Sequence, residues 1–123
     1  MRPLYHPSLN DITVEGILHA LSDPVRAHIL AKILGADGAQ TCSAFLEVSD
    51  RPIPKSTLSQ HFKALREAGL IRSERKGVEL HNTSRCQEIG SRFGPLLNAV
   101  LGAHQAQEQR RASSQKARRI KRA

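Results

Sequence analysis

The chain has no tryptophan, one tyrosine and three phenylalanines, so its core must be built from Leu, Ile, Val and Ala. It has two cysteines, Cys42 and Cys86, too few for the disulfide framework of a small secreted domain. Its apolar runs are only a few residues long, which excludes a membrane-spanning helix. The opening Met1-Arg-Pro-Leu-Tyr-His-Pro has no signal-peptide apolar region. A soluble cytoplasmic protein is expected. Also missing are a Gly-rich phosphate loop, a nucleophile with its base and orienting partner, and paired carboxylates in a pocket-forming pattern. Neither an enzyme nor a resident cofactor is expected.

What is present is a chain of 123 residues, enough for one core but not two. Its net charge of +8 is unevenly placed: residues 110–123 carry seven of the 19 Lys and Arg and none of the 11 acids. The body is nearly neutral, so basicity is a local device. Three segments follow: a loose two-proline arm over residues 1–9, a domain over 10–109, and a basic tail over 110–123. The tail lacks large apolar residues except Ile120. It is either disordered or a prolongation of the last helix, and in both cases is suited to phosphates.

Within the domain, Val14, Ile17, Leu18 and Leu21 recur at helical spacing and define a first helix from Asn10 or Asp11 to about Ser22. Asp23-Pro24 is a helix start, with Asp as cap and Pro at the first position. The second helix runs to about Leu34, with Val25, Ile29, Leu30, Ile33 and Leu34 facing inward. Gly35 and Gly38 break it. Thr41 to Val48 is read as a two-turn third helix, and Ser49 to Pro54 as a turn.

The fourth helix, Lys55 to Ala68, carries the chemistry. Leu58, Phe62 and Leu65 fall at i, i+4 and i+7 and form one buried stripe. Lys55, Ser56, Thr57, Ser59, Gln60, His61 and Lys63 occupy the rest of its N-terminal half, a set of hydroxyl, amide and ammonium groups able to meet base edges and phosphates. Gln60 has the geometry for a bidentate contact to adenine. His61 has a second reading, as a partly buried residue bonded to the turn. Gly69 ends the helix. Leu70 to Thr83 is then a hairpin turning at Lys76-Gly77, with Val78 and Leu80 alternating with Glu79 and His81. Arg75 and Lys76 at its tip are either phosphate contacts or a solvated basic turn. After Ser84 the chain is helical again, and Pro95 marks a kink or a fresh start. Phe93, Leu96, Leu97, Val100 and Leu101 give the final helix an apolar face, which a second copy of the chain, helped by the first helix, would cover.

The blocks Leu18-His-Ala-Leu-Ser-Asp-Pro-Val-Arg-Ala-His-Ile-Leu30 and Ser56-Thr-Leu-Ser-Gln-His-Phe-Lys-Ala-Leu-Arg-Glu-Ala-Gly-Leu-Ile71, followed by a basic hairpin, resemble the ArsR-type winged-helix repressors of bacteria. The resemblance covers roughly residues 12 to 102. It implies a mainly α winged helix-turn-helix with a small β-hairpin, dimerising through its terminal helices. It also implies binding to an inverted-repeat operator in double-stranded DNA and release by a signal. Ser56, Thr57, Ser59, Gln60 and His61 match the family's reading-helix positions, Arg75 and Lys76 its wing, and Pro24 and Arg26 its Asp-Pro-x-Arg signature.

The family's sensors match less well. Cys42 stands without the Cys-x-Cys pairing of the metal sensors, and His104 and Glu108 lack an accompanying Asp-x-His, so no metal site is expected. Cys42 and Cys86 are candidates for redox sensing, weighed against an inert, buried reading for each. The effector is left open. The competing class is a winged-helix module that binds protein or RNA. It would replace the polar face of residues 56–63 with exposed apolar residues.

Overall fold

Asp23 and Pro24 open the helix against which the other elements stack. In the computed structural model, which describes residues 3–45 and 52–122, Asp23 Oδ1 accepts from the N–H groups of Val25 at 2.8 Å and Arg26 at 3.4 Å. Pro24 takes a first-turn position that needs no N–H. Helix α2, Pro24–Gly35, buries Ala27, Ile29, Leu30 and Ile33. Leu34, expected inward, is instead exposed at the last turn, one residue before the helix ends.

Arg26 turns back from α2 and closes the end of the helix before it. Its Nε donates to the Ala20 carbonyl at 2.6 Å and its Nη2 to the His19 carbonyl at 3.3 Å. These are C-terminal carbonyls that a helix leaves unpaired. That helix, α1, spans Val14–Leu21. It starts later than expected because Thr13 Oγ1 accepts the Gly16 N–H at 3.0 Å and so sets the N-cap; Leu9–Asp11 form a separate 3-10 turn. Ile17, Ala20 and Leu21 are buried, whereas Val14 and Leu18 are 41% and 44% exposed. The apolar stripe of α1 is wider than the surface it packs on.

The helix expected over Thr41–Val48 is replaced where the structure describes it. Gln40–Thr41 form strand β1, followed by a 3-10 turn over Cys42–Phe45; residues 46–51, where the helix and the following turn were expected, lie outside the described residues. Strand pairing wins over local helix propensity here because β1 adds to the hairpin. Strands β2, Ile71–Lys76, and β3, Glu79–Ser84, are antiparallel in the register Lys76 to Glu79, and β1 pairs with the other edge of β3 through Gln40–Asn82 and Thr41–His81. The order is β1-β3-β2. Gly77, at φ +66°, makes the two-residue turn with Val78, which is fully exposed and does not alternate into the sheet.

Helix α3, Lys55–Glu67, buries Leu58, Phe62 and Leu65 as its spacing requires, with the Phe62 ring edge-on to Phe45 at 5.4 Å. Its end is fixed by paired bonds from the Gly69 N–H to the Arg66 carbonyl and from the Leu70 N–H to the Leu65 carbonyl, each 3.0 Å. Gly69 sits at φ +85°, and a Cβ there would lie 2.4 Å from Ile12 Cδ1, so this position excludes any side chain twice over.

Helix α4 runs from Cys86 to Arg122, 37 residues, with Pro95 inside it rather than at a new start. Leu97 and Leu101 are buried, and Phe93, Leu96 and Val100 pack partly against the core. The segment 110–122 is helical, the second of the two expectations for the tail. No helix among the described residues is long and apolar enough to cross a membrane.

One set of buried polar contacts had no counterpart in the sequence reading. Asn82, fully buried, accepts from Ser73 Oγ at 2.6 Å and donates to the Gln40 carbonyl at 3.0 Å. Arg66 Nε donates to the same Ser73 Oγ at 3.1 Å. The hairpin, the edge strand and the end of α3 thus share one network. Asn82→Ala strands Ser73 Oγ and the Gln40 carbonyl in a dry site. It is expected to lower stability by about 2–3 kcal/mol, read as a drop in urea midpoint at unchanged slope; a loss below about 0.5 kcal/mol would show that the network is not holding the sheet.

Candidate nucleic-acid interface

The N-terminal end of α3 is open to solvent. Its N-cap residue, Pro54, supplies no side-chain cap, and Lys55, Ser56, Thr57, Ser59 and Gln60 are all exposed. Such a helix start presents N–H groups and the positive end of the helix dipole, a favourable place for an anion. The polar residues then diverge around the helix. Lys55 and Ser59 line a cleft of about 330 Å³ with Arg75 and Glu79 of the hairpin, while Gln60 and Lys63 line a hollow of about 390 Å³ with Gly16, His19 and Glu67. Lys63 also sits 3.9 Å from Glu67, both well exposed, a pair of small energetic weight.

Arg75 and Lys76 are exposed at the end of β2, so the fold brings the cationic hairpin beside the start of α3, with Arg75 sharing the first cleft. His61 is half-buried, with Nδ1 turned inward and without a hydrogen-bond partner among the described residues. Most of the turn that its second reading invoked lies outside them. Arg26, left open between an acid and a phosphate, is largely committed to the α1 carbonyls, with Asp23 at 3.9 Å.

Both thiols are free and half-buried. Cys42 lines the cleft with Lys55 and Arg75 and lies 3.7 Å from Asn82 Nδ2. Burial pushes the Cys42 thiol up, partly offset by the hydrogen bond from Asn82, and burial pushes Cys86 up against an opposing bond with Ser84. Each is a poorer thiolate source than an exposed cysteine. No cluster of three or more His, Cys, Asp or Glu suited to a metal occurs among the described residues.

The arm also belongs to this region. Rather than hanging free, it lies on the hairpin: the Ser73 N–H donates to His6 Nε2 at 2.9 Å, and Arg85 Nη1 donates to the Pro7 carbonyl at 2.9 Å. Ser73 thus spends its backbone on the arm and its hydroxyl on the Asn82 network. Sequence could not signal this, because a histidine among prolines carries no periodicity. Arg85 is also bound to Glu88 at 2.8 Å, which in turn holds Arg72 at 3.1 Å. Those hydrogen bonds, Arg85's first, keep the Glu88 carboxyl below its usual range.

Comparison with known proteins adds to this geometry. A protein-family model described as a helix-turn-helix domain matches residues 21–74, which include α2, β1, α3 and the first half of the hairpin. An ArsR-like transcriptional regulator from Rhodococcus sp. RHA1 matches in structure with a TM-score of 0.50 over 84% of this chain and 89% of that one, at 23% identity. The chain carries a helix-turn-helix with a β-hairpin wing, the fold of that regulator. No curated protein matches. In this fold α3 closes the helix-turn-helix and β2–β3 form the wing.

His6 makes the wing's attachment sensitive to acid. Burial, then the charges of Arg72, Arg66 and Arg85, lower its pKa against a bond with Leu4 that raises it. A protonated Nε2 could not accept from Ser73. Since the folded state resists the proton, stability is full above the ordinary histidine pKa of about 6.5 and declines as pH falls through and below it. His28, lowered chiefly by burial, acts with the same sign. The melting temperature is expected to fall between pH 7.5 and pH 5.5, and less steeply in His6→Gln, which keeps an acceptor but does not titrate. An identical decline in the variant would remove His6 from the account.

Proposed function

We propose that the protein is a sequence-specific DNA-binding transcriptional regulator acting as a homodimeric repressor on an inverted-repeat operator. The observation that carries this reading is the exposed start of α3, with Ser56, Thr57, Ser59 and Gln60 flanked by Lys55, Lys63 and the wing cations Arg75 and Lys76. Hydroxyl and amide groups read base edges, and the ammonium and guanidinium groups fix register on phosphates. The winged helix-turn-helix match supports the same class. A module that docks on protein would present large apolar side chains on this face of α3, and the described positions there are polar.

Dimerisation has its own support. Val14 and Leu18, one turn apart on α1, stand exposed, and Leu96 and Val100 on α4 are only partly covered by the core. A second copy related by a twofold axis would cover both helices and set two recognition helices about 34 Å apart, one turn of duplex.

The test starts from duplexes selected by the wild-type chain out of a random pool. Gln60→Ala is expected to lose roughly 1–3 kcal/mol on the selected duplex and little on random sequence. Equal loss on both would show that Gln60 does not read bases, and failure to enrich any sequence would overturn the operator reading. Sedimentation at twice 13.6 kDa is expected for the free protein.

A further inference from the structure

The helical continuation of α4 beyond the domain is a surface that the winged-helix reading does not use. From Gln109 to Lys121 every residue is exposed, and beyond Gln109, which still lines a hollow with Ala31 and Lys32 of α2, the helix projects from the domain. At 1.5 Å per residue this is about 20 Å of projecting helix. It carries Arg110, Arg111, Lys116, Arg118, Arg119 and Lys121 and no acid; its nearest carboxylate, Glu108, is taken up with Arg111 at 3.4 Å.

The charges are not spread evenly. With 3.6 residues per turn, Arg110, Arg111, Arg118 and Lys121 fall within about 100° of arc. Arg119 and Lys116 extend the cationic arc to about 240°, and Ser113, Ala117 and Ile120 fall in the strip that remains. An ordered helix with so broad a cationic surface has two common partners, an anionic membrane and a polyanion. The membrane needs a substantial apolar face opposite the charge, and here Ile120 is the single large apolar residue. A duplex needs only a line of cations. Over about 20 Å each strand of B-DNA carries about six phosphates.

We infer that the projecting helix 109–122 is a second, sequence-independent DNA contact, which grips backbone phosphates away from the bases that α3 reads. The inference rests on the DNA-binding reading above, but needs only phosphates and not an operator. Because it is helical and built into α4, the contact is presented as a fixed line of charge and costs less ordering on binding than a flexible tail of the same composition.

The experiment compares the full-length protein with a full-length variant in which Arg110, Arg111, Lys116, Arg118, Arg119, Lys121 and Arg122 are replaced by Gln, a residue that keeps helix propensity. Both are titrated with a random-sequence duplex of about 40 base pairs across a salt series, with circular dichroism confirming an unchanged melting transition. Each lost phosphate contact removes about 0.9 from the slope of log K against log salt, so the variant is expected to flatten that slope by several units. Its preference for a selected duplex over random sequence should be kept. An unchanged slope overturns the inference even where sequence selection by α3 is intact. Loss of selection with a normal tail-dependent slope instead overturns the operator reading alone. Vesicles containing anionic lipid provide the other arm, and binding to them that depends on the seven charges, with no change on DNA, assigns the helix to a membrane and overturns the DNA contact.

Discussion

Asn82 is the point through which the wing is tied to everything else. It is fully buried on the central strand of a three-stranded sheet, with Ser73 across one pairing and Gln40 across the other. An apolar residue there would bury well but specify little. A carboxamide that must find both an acceptor and a donor fixes the register of both neighbours at once, since a slip of one residue would leave it unpaired at a cost of about 1–3 kcal/mol. Through Ser73 Oγ the same network reaches Arg66, at the end of α3. Wing and α3 are therefore oriented by one set of hydrogen bonds and not merely by contact.

This arrangement gives α3 two unlike ends. Its C-terminal end is held by Gly69, by the bonds to Arg66 and Leu65, and by Ile12 packed where a Cβ would otherwise sit. Its N-terminal end opens on Pro54, which supplies no side-chain cap, and bears the polar residues. A helix held at one end keeps the other both exposed and positioned, which is what contact with an external anion requires: the N–H groups stay available, and little ordering remains to be done on binding.

The sequence made legible whatever depends on periodicity and on residues with one strong preference. Leu58, Phe62 and Leu65 announced the buried side of α3, Asp23-Pro24 the start of α2, and Lys76-Gly77 the wing turn. It failed where the deciding partner is distant. Asn82 and Ser73 are polar, so hydropathy assigns them to the surface, and only strand pairing shows that they face each other inside. Thr41 was misread because nothing local reveals that β3 has a free edge awaiting β1. Leu34 was placed inward by spacing alone, yet a helix of this size has more apolar residues than inward positions. His6 carried no pattern, and its role appears only once Ser73 offers a backbone N–H to it. For the candidate interface, the residue types were readable; the division of Lys55 and Ser59 toward the wing and Gln60 and Lys63 toward α1 was not, because it depends on how α3 is rotated against its neighbours.

The long helix α4 joins these local arrangements into one body. It starts two residues after the wing ends, and Glu88 in its first turn binds both Arg72 of β2 and the buried Arg85. One turn later Arg92 reaches Asn10 Oδ1 at 3.2 Å, and then come Leu97 and Leu101 in the core. The wing, the arm and the core are thus bonded to consecutive turns of one element, and packed elements shift as units more readily than they deform. In the proposed dimer, α4 also lies on the twofold face, so any signal that moves one copy against the other acts on α4 first. In that dimer a rotation there would reach the wing through Glu88 and Arg72, and α3 through Ser73 and Arg66. The separation of the two recognition helices and the set of the wings would then change together, which ties operator release to the interface between copies without requiring a ligand to touch the reading surface.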